Sequence, residues 1–493
     1  MRQTTSLGRV RWAAVAVALQ LLATACGDAS RTSTQPTTVK PPTPTGVDTG
    51  TTVRILQGNG QRLNPGGQGE MIVVWVTGRA GILGEGVHVS WSVTAGRGSV
   101  TPLDTVTLSG GVARALWTLG PDVSANTLLV SSNGASATVK AEAAAPLTAM
   151  SIAPGVQHTC ALVTGGAVYC WGDNSIEQLG RGIAKDDTLS KIPERVPTSF
   201  VFSALVSKAN HTCGLSLAGE AICWGMSYES GPTRIAGPRF VALTTGVSHT
   251  CGLAVDGSAY CWGSNERAQL GSGTRKTEVP TKVAAAPPFV SVSAGGWYSC
   301  GLTADGRVFC WGSNDTGALG AAASDSCFLE QVDDNGNLIE PLVIPCSYSA
   351  IQANLNSRVI QIAAGPSRIC ALTIERAVVC WGGFAPEPYT VVGATGLTGI
   401  ALHDQLACGL DADGTAWCWD FPGGPPWYSK PESLPGGIHF ATLFGGWKGL
   451  CGTSVGESRA FCWGWNEHGQ LGDGTTSTNY RAVPMPVVSP AIP

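Results

Sequence analysis

Seven cysteine pairs recur along the chain, and they constrain the fold more than any other feature. In six of them nine residues separate the partners: Cys160 and Cys170, Cys213 and Cys223, Cys251 and Cys261, Cys300 and Cys310, Cys370 and Cys380, Cys408 and Cys418. In the seventh, Cys451 and Cys462, ten do. Tryptophan follows every second cysteine: Trp171, Trp224, Trp262, Trp311, Trp381, Trp419 and Trp463. Self-similarity at such a period signals a repeat architecture. The spacing has a local meaning. In Cys251-Gly-Leu-Ala-Val-Asp256-Gly257-Ser-Ala-Tyr-Cys261 the midpoint is Asp256. A three-residue hairpin loop there puts Gly257 where a positive φ is needed. Counted outward, the cysteines fall on a non-hydrogen-bonded cross-strand pair, close enough to be bridged. Gly166, Gly219, Gly306 and Gly414 hold the same place, whereas the fifth unit has Ile374-Glu375-Arg376 and no glycine. Zinc ligands come two to four residues apart within a pair, so a metal reading does not fit.

Each unit opens on an alternating run such as Phe240-Val241-Ala242-Leu243. Four units continue past the tryptophan into a turn ending Leu-Gly, at Asn174–Gly180, Asn265–Gly271, Asn314–Gly320 and Asn466–Gly472. About four short strands per unit is the content of a propeller blade. The phrases His158-Thr159-Cys160-Ala161-Leu162, Val168-Tyr169-Cys170-Trp171-Gly172 and Asn466-Glu467-His468-Gly469-Gln470-Leu471-Gly472 resemble the repeat of the regulator of chromosome condensation family. The resemblance implies a seven-bladed β-propeller over residues 146–493, of the exported, cysteine-paired bacterial kind. It further implies closure by pairing Leu147–Ile152 with Val483–Val488.

The N-terminus reads as an export signal: Arg2, Arg9 and Arg11 precede an apolar stretch ending Leu22-Ala23-Thr24-Ala25-Cys26. It resembles a bacterial lipoprotein signal over residues 1–25, which implies lipidation at Cys26 and a membrane anchor. An exported, membrane-anchored lipoprotein, periplasmic or at the cell surface, is therefore expected. The other sixteen cysteines are an even set, as a disulfide framework requires. Residues 26–52, rich in Thr and Pro, lack the aliphatic content of a core and read as a tether. Residues 53–145 carry short alternating runs, including Val89-Ser90-Trp91-Ser92-Val93, that resemble bacterial immunoglobulin-like repeats, with Trp91 and Trp117 as expected core tryptophans. The expected fold class is all-β, a seven-bladed propeller preceded by an immunoglobulin-like β-sandwich.

Catalysis finds no support: no Ser/His/Asp set, paired carboxylates or phosphate loop recurs, so no enzyme, cofactor or metal is expected. A net charge of −4 without a basic cluster excludes the electrostatic footprint of nucleic-acid binding. His158, His211 and His249 each stand two residues before a first cysteine. They read as turn positions whose imidazoles bond to backbone. The stretch Ala321–Arg358 inserts into the fourth unit with the pair Cys327 and Cys346 and a turn at Asn335-Gly336, and reads as a disulfide-closed surface loop. Trp297, Tyr298, Trp427, Trp447 and Trp465 lie outside the repeat positions and are candidate contacts for a protein or glycan ligand. The expected function is a surface-anchored binding or adhesion scaffold. The family resemblance adds two alternatives, guanine-nucleotide exchange and inhibition of a secreted enzyme such as a β-lactamase.

Overall fold

The computed structural model describes residues 51–490 apart from 79–84, 183–187, 229–230, 274–275, 334–337, 384 and 422–429. The signal, Cys26, most of the tether, Trp427 and the Asn335-Gly336 turn lie outside the described residues. Every regular element described is a strand.

The first eight strands are β1 (Thr52–Gln57), β2 (Gln61–Leu63), β3 (Ile72–Thr77), β4 (Ser90–Ala95), β5 (Ser99–Pro102), β6 (Val112–Thr118), β7 (Ser124–Ser132) and β8 (Ala135–Ala143). They form two four-stranded sheets, β1-β3-β6-β5 and β2-β8-β7-β4. Alternation places Ile72, Val74, Val76, Ala113 and Trp117 of one sheet against Leu128, Val130 and Val139 of the other in a single core. Trp117 is buried there, while Trp91 sits half-buried at its border and donates to Asp104 O at 3.1 Å. Asp48–Pro493 is one compact unit. Within it the sandwich is tied to the end of the chain, Arg62 donating to Ser489 O and Pro490 O and Asn64 to Pro486 O, and to the first of the following sheets, where Lys191 pairs with Glu70.

Seven further sheets follow in chain order, six of four strands and one, the fourth, of five. Their first strands are Ser151–Pro154, Phe202–Ser207, Phe240–Thr245, Ser291–Ala294, Val359–Ala364, Gly399–Leu402 and Phe440–Gly445. Each first strand touches the first strand of the next sheet, and the last of them touches the first. All seven line one central cavity of about 230 Å³.

The second and third strands of each sheet make the cysteine hairpin, and one bridge crosses each of them. In chain order the bridges are Cys160–Cys170, Cys213–Cys223, Cys251–Cys261, Cys300–Cys310, Cys370–Cys380, Cys408–Cys418 and Cys451–Cys462. Every one joins directly opposed residues of an antiparallel pair. Their Cα atoms lie 4.0–4.1 Å apart. The seventh pair keeps this register despite its extra residue, because the loop before Arg459 absorbs it: Ser454 and Arg459 still close the turn through the Ser454 N–H and Arg459 O. Cys418 differs from the rest in being only partly buried.

Gly257 takes φ 80° at the hairpin loop, and in the fifth unit Arg376 is forced to φ 61° in its place. That left-handed backbone costs a non-glycine residue roughly 1 kcal/mol. The glycine after the first cysteine answers a different need. A Cβ at Gly252 would lie 2.5 Å from the Phe240 ring, which fills the sheet beside Trp262. Glycine recurs at 214, 301 and 452 against Phe202, Phe289 and Phe440.

The Leu-Gly turns join one sheet to the next. In each, the opening asparagine accepts from the leucine N–H, as Asn466 Oδ1 does from Leu471 at 3.0 Å. The turn then receives the following sheet's tryptophan. Trp311 donates to Gln269 O at 3.1 Å, Trp381 to Ala318 O at 3.0 Å, and Trp171 of the first sheet to Gln470 O of the seventh at 2.9 Å. The contact that links successive sheets thus also links last to first. The expected strand pairing at the closure is narrower than Leu147–Ile152 with Val483–Val488. A bridge joins Pro146 to Val488 and Leu147 N–H donates to Val487 O, but Ser151–Pro154 turns inward as the first sheet's inner strand.

The insertion in the fourth unit is not a loop. Asp325–Val332 and Leu338–Gln352 form a hairpin that continues the sheet, with Asp325–Val332 at its outer edge. The far half of the longer strand supplies the blade strand the repeat needs, pairing Cys310 with Ile351. Cys327 and Cys346 are joined across the hairpin base. Their Cα atoms lie 5.9 Å apart, wider than in the seven repeat bridges, because Cys327 stands opposite Ile344 and reaches Cys346 diagonally.

Candidate binding face

The turns between first and second strands gather at one end of the central cavity. Their backbones bond around the ring: Val156 N–H to Ala209 O, Val247 to Gly296, Gly296 to Pro366, Asp404 to Trp447, and Trp447 to Gly155. Beneath them His158, His211 and His249 are buried. Their Nε2 partners are side-chain hydroxyls rather than the expected backbone groups, although His211 also has a backbone hydrogen bond with His249. Each Nε2 lies against a hydroxyl of the next sheet: Thr212 at 2.8 Å, Thr250 at 3.0 Å and Ser299 at 2.8 Å. The three histidines are equivalent links between four sheets. Burial holds His158 and His249 at a pKa of about 3 and His211 at about 4, so all three are neutral. Tyr298 takes the equivalent place in the fourth sheet and gives its hydroxyl to Gly365 O and Arg368 O.

Lys208 crosses the cavity from the second sheet. Its ammonium is received by Ala294 O at 2.7 Å and by Ala364 O, on the fourth and fifth first strands. Burial lowers its pKa to about 8.

The outer surface at this end is aromatic. Trp297 of the fourth turn meets Trp447 of the seventh edge-to-face, ring centroids 6.5 Å apart. Arg267 lies 4.7 Å over the Trp297 ring while its guanidinium donates to Asp315 at 2.9 Å. Trp465 donates its backbone N–H to Lys448 O and its ring meets Tyr480 edge-on, the Tyr480 hydroxyl lying 3.3 Å from His403 Nε2. Trp297, Trp465 and Tyr480 remain 37–38 % exposed. Of the five candidate contact aromatics, the structure therefore brings Trp297, Trp447 and Trp465 to one face and removes Tyr298, which is buried. Nothing in their local strings marks Tyr480 and Arg267: strand pairing within the seventh sheet sets Tyr480 beside Trp465, and the joint between the third and fourth sheets sets Arg267 over Trp297. Among the described residues, no group of three His, Cys, Asp or Glu side chains could hold a metal. The face offers rigid aromatic area with a few charged neighbours.

A closed array of like sheets around a cavity, each stapled across its central hairpin, defines a β-propeller. Sequence models of the regulator of chromosome condensation (RCC1) repeat match residues 256–302, 305–372 and 457–491, and a second model of that repeat matches 151–175, 240–269 and 289–318. Among solved structures, human WBSCR16 is similar at 17 % identity and a TM-score of 0.50, over 63 % of this chain and 87 % of that one. Prp20p from Saccharomyces cerevisiae, described with its binding to Gsp1p and histones, aligns at 20 % identity and a TM-score of 0.48 over 60 % and 80 %. The ectodomain of the Arabidopsis thaliana receptor kinase ACR4 aligns at 23 % and 0.43 over 64 % and 98 %. The chain is thus an all-β propeller protein carrying RCC1-type repeats, and its eight disulfides suit an oxidising, extracellular environment.

Proposed function

We propose that this protein is a non-catalytic binding scaffold: a seven-bladed propeller, carried on an immunoglobulin-like sandwich and a lipidated Cys26, that presents the aromatic face to a protein or glycan outside the cytosol. The observation that carries this reading is the junction of Trp297 and Trp447 over the cavity mouth, with Trp465 and Tyr480 beside it. Large rigid aromatics held on a disulfide-fixed frame lose little entropy on binding and dominate interface energetics. Asn64 fixes the sandwich to the last strand of the seventh sheet and Arg62 to the residues just after it, so the two support that face together.

The test is retention of the purified protein on immobilised envelope glycans and envelope proteins. Trp297→Ala combined with Trp465→Ala should weaken retention about a hundredfold or more, at the 2 kcal/mol or so per anchor typical of such residues. Equal retention of the variant, with an unchanged melting temperature, would refute the aromatic face. Lipidation is checked separately: palmitate should label the full chain and fail to label Cys26→Ser, and equal labelling would remove the anchor.

A further inference from the structure

A second surface, remote in chemistry from the aromatic face, lies on the inserted hairpin of the fourth sheet. At its base one side of the ribbon is buried: Cys327, Cys346 and Ile344 pack on Ala268 of the third sheet's Leu-Gly turn. Leu329 still packs against that cluster, and beyond it the ribbon opens to solvent. Phe328 is 66 % exposed, Leu338 72 % and Val343 52 %, and Leu342 and Ile339 are nearly half exposed. Register places Phe328 opposite Val343 on one side and Leu329 opposite Leu342 on the other. Soluble proteins seldom leave so concentrated an apolar group open to water without a partner. The strand Asp325–Val332 also ends the sheet, so its outer row of N–H and C=O groups is available to another strand.

Charge selects the occupant. No Lys or Arg stands between Arg307 and Arg358, whereas the hairpin carries Asp325, Glu330, Asp333, Asp334 and Glu340. Two copies of the chain would bring together two ribbons of like charge. An anionic membrane surface would repel the same acids. An extended protein segment that alternates apolar and basic residues fits: backbone for the open edge, apolar side chains on the face that carries Phe328 and Val343, and cations on the other face within the field of the hairpin's acids. We propose that the Asp325–Val332 edge is a docking site for such a segment, added as a further strand to the fourth sheet. The Cys327–Cys346 bridge and the Ala268 contact fix the base of the ribbon for it.

The experiment uses the full chain with its disulfides intact. Its probes are a ten-residue Val-Lys alternating peptide, the Val-Glu counterpart, and the Val-Lys peptide N-methylated at every second residue. Binding is read by fluorescence anisotropy, and the docking position by hydrogen exchange. The Val-Lys peptide should bind about tenfold or more tightly than either control and slow exchange within 325–332. Phe328→Ser with Leu342→Ser should weaken it about tenfold while leaving the melting temperature unchanged, and Glu330→Lys should weaken it without touching apolar area. Equal binding of the N-methylated peptide would reduce the effect to charge and overturn strand addition. Absence of binding at about 1 mM, protection elsewhere, or self-association lost in the Phe328→Ser variant would each overturn it as well. Loss of the aromatic face leaves every one of these outcomes unchanged, so the two readings fail separately.

Discussion

Replacing Cys251 and Cys261 together by alanine lowers the free energy of unfolding by about 2.5–3 kcal/mol, and reduction of the whole set leaves the propeller unable to hold its fold. The size follows from loop closure. Each repeat bridge spans ten or eleven positions of chain, and removing such a loop from the unfolded ensemble is worth about that much in the chain-entropy model. Eight bridges together are worth on the order of 20 kcal/mol, more than the 5–15 kcal/mol by which domains are commonly stable. Packing adds to the effect, because Cys251 and Cys261 are wholly buried and alanine leaves voids beside Leu253 and Trp311. Cys408 and Cys418 make the contrasting case. Cys418 is partly open to solvent, so the pair should be the first of the seven to yield to a water-soluble reductant. Urea denaturation of the double variant measures the single bridge, and near-ultraviolet dichroism with increasing dithiothreitol measures the set. A denaturation midpoint unchanged in the double variant, or native dichroism with all thiols free, would show that the sheets stand without their staples.

The cysteine register was open to reading from the chain because it is local. A ten-position spacing, a central glycine and a tryptophan after the second cysteine are properties of one hairpin, and the hairpin forms as its residues dictate. Cys370–Cys380 shows the strength of that local code, since its turn keeps the common shape with Arg376 at φ 61° where glycine is missing. What the string conceals is anything that crosses the ring. His211 precedes its partner Thr250 by 39 positions, and Lys208 reaches Ala364 over 156. The first distance is one repeat plus one position and follows from stacking of successive sheets, whereas the second needs closure of the array to bring the groups together. The inserted hairpin was obscured for another reason. Its outer half alternates neither side, being apolar on both, and so lacks the pattern that marks a strand half-buried in a sheet. Tyr298 looked like a contact aromatic because it lies outside the repeat tryptophan positions, yet alternation turns it inward to the place its neighbours fill with histidine.

Those buried histidines set the response to acid. An imidazole whose pKa is lower in the folded chain than in the unfolded one binds fewer protons when folded, so its contribution is complete above the unfolded value and lost as pH falls. His158 and His249 drop to about 3, and His211 and His403 to about 4, from an ordinary 6.5. The window of loss therefore opens near pH 6.5 and runs down to 3–4. Within it each histidine costs about 1.4 kcal/mol per pH unit, or about 2 kcal/mol by pH 5. Four of them remove on the order of 8 kcal/mol over a range in which ordinary carboxylates have barely begun to titrate. Mutual repulsion contributes to these low values and so extends the window downward, because His211 faces both His158 and His249, and Lys208 adds its charge to His249. Lys208 follows the same sign at higher pH, with stability rising between about 8 and its ordinary 10.5 as the unfolded chain keeps a proton that the cavity sheds. Urea midpoints at about pH 7.5, 6 and 5 should fall steeply, and His158→Gln with His249→Gln, which keeps a side-chain group able to meet Thr212 and Ser299, should flatten the slope by nearly two protons. If the variant loses stability between about pH 6.5 and 5 as steeply as the parent, the links between sheets are not what acid breaks.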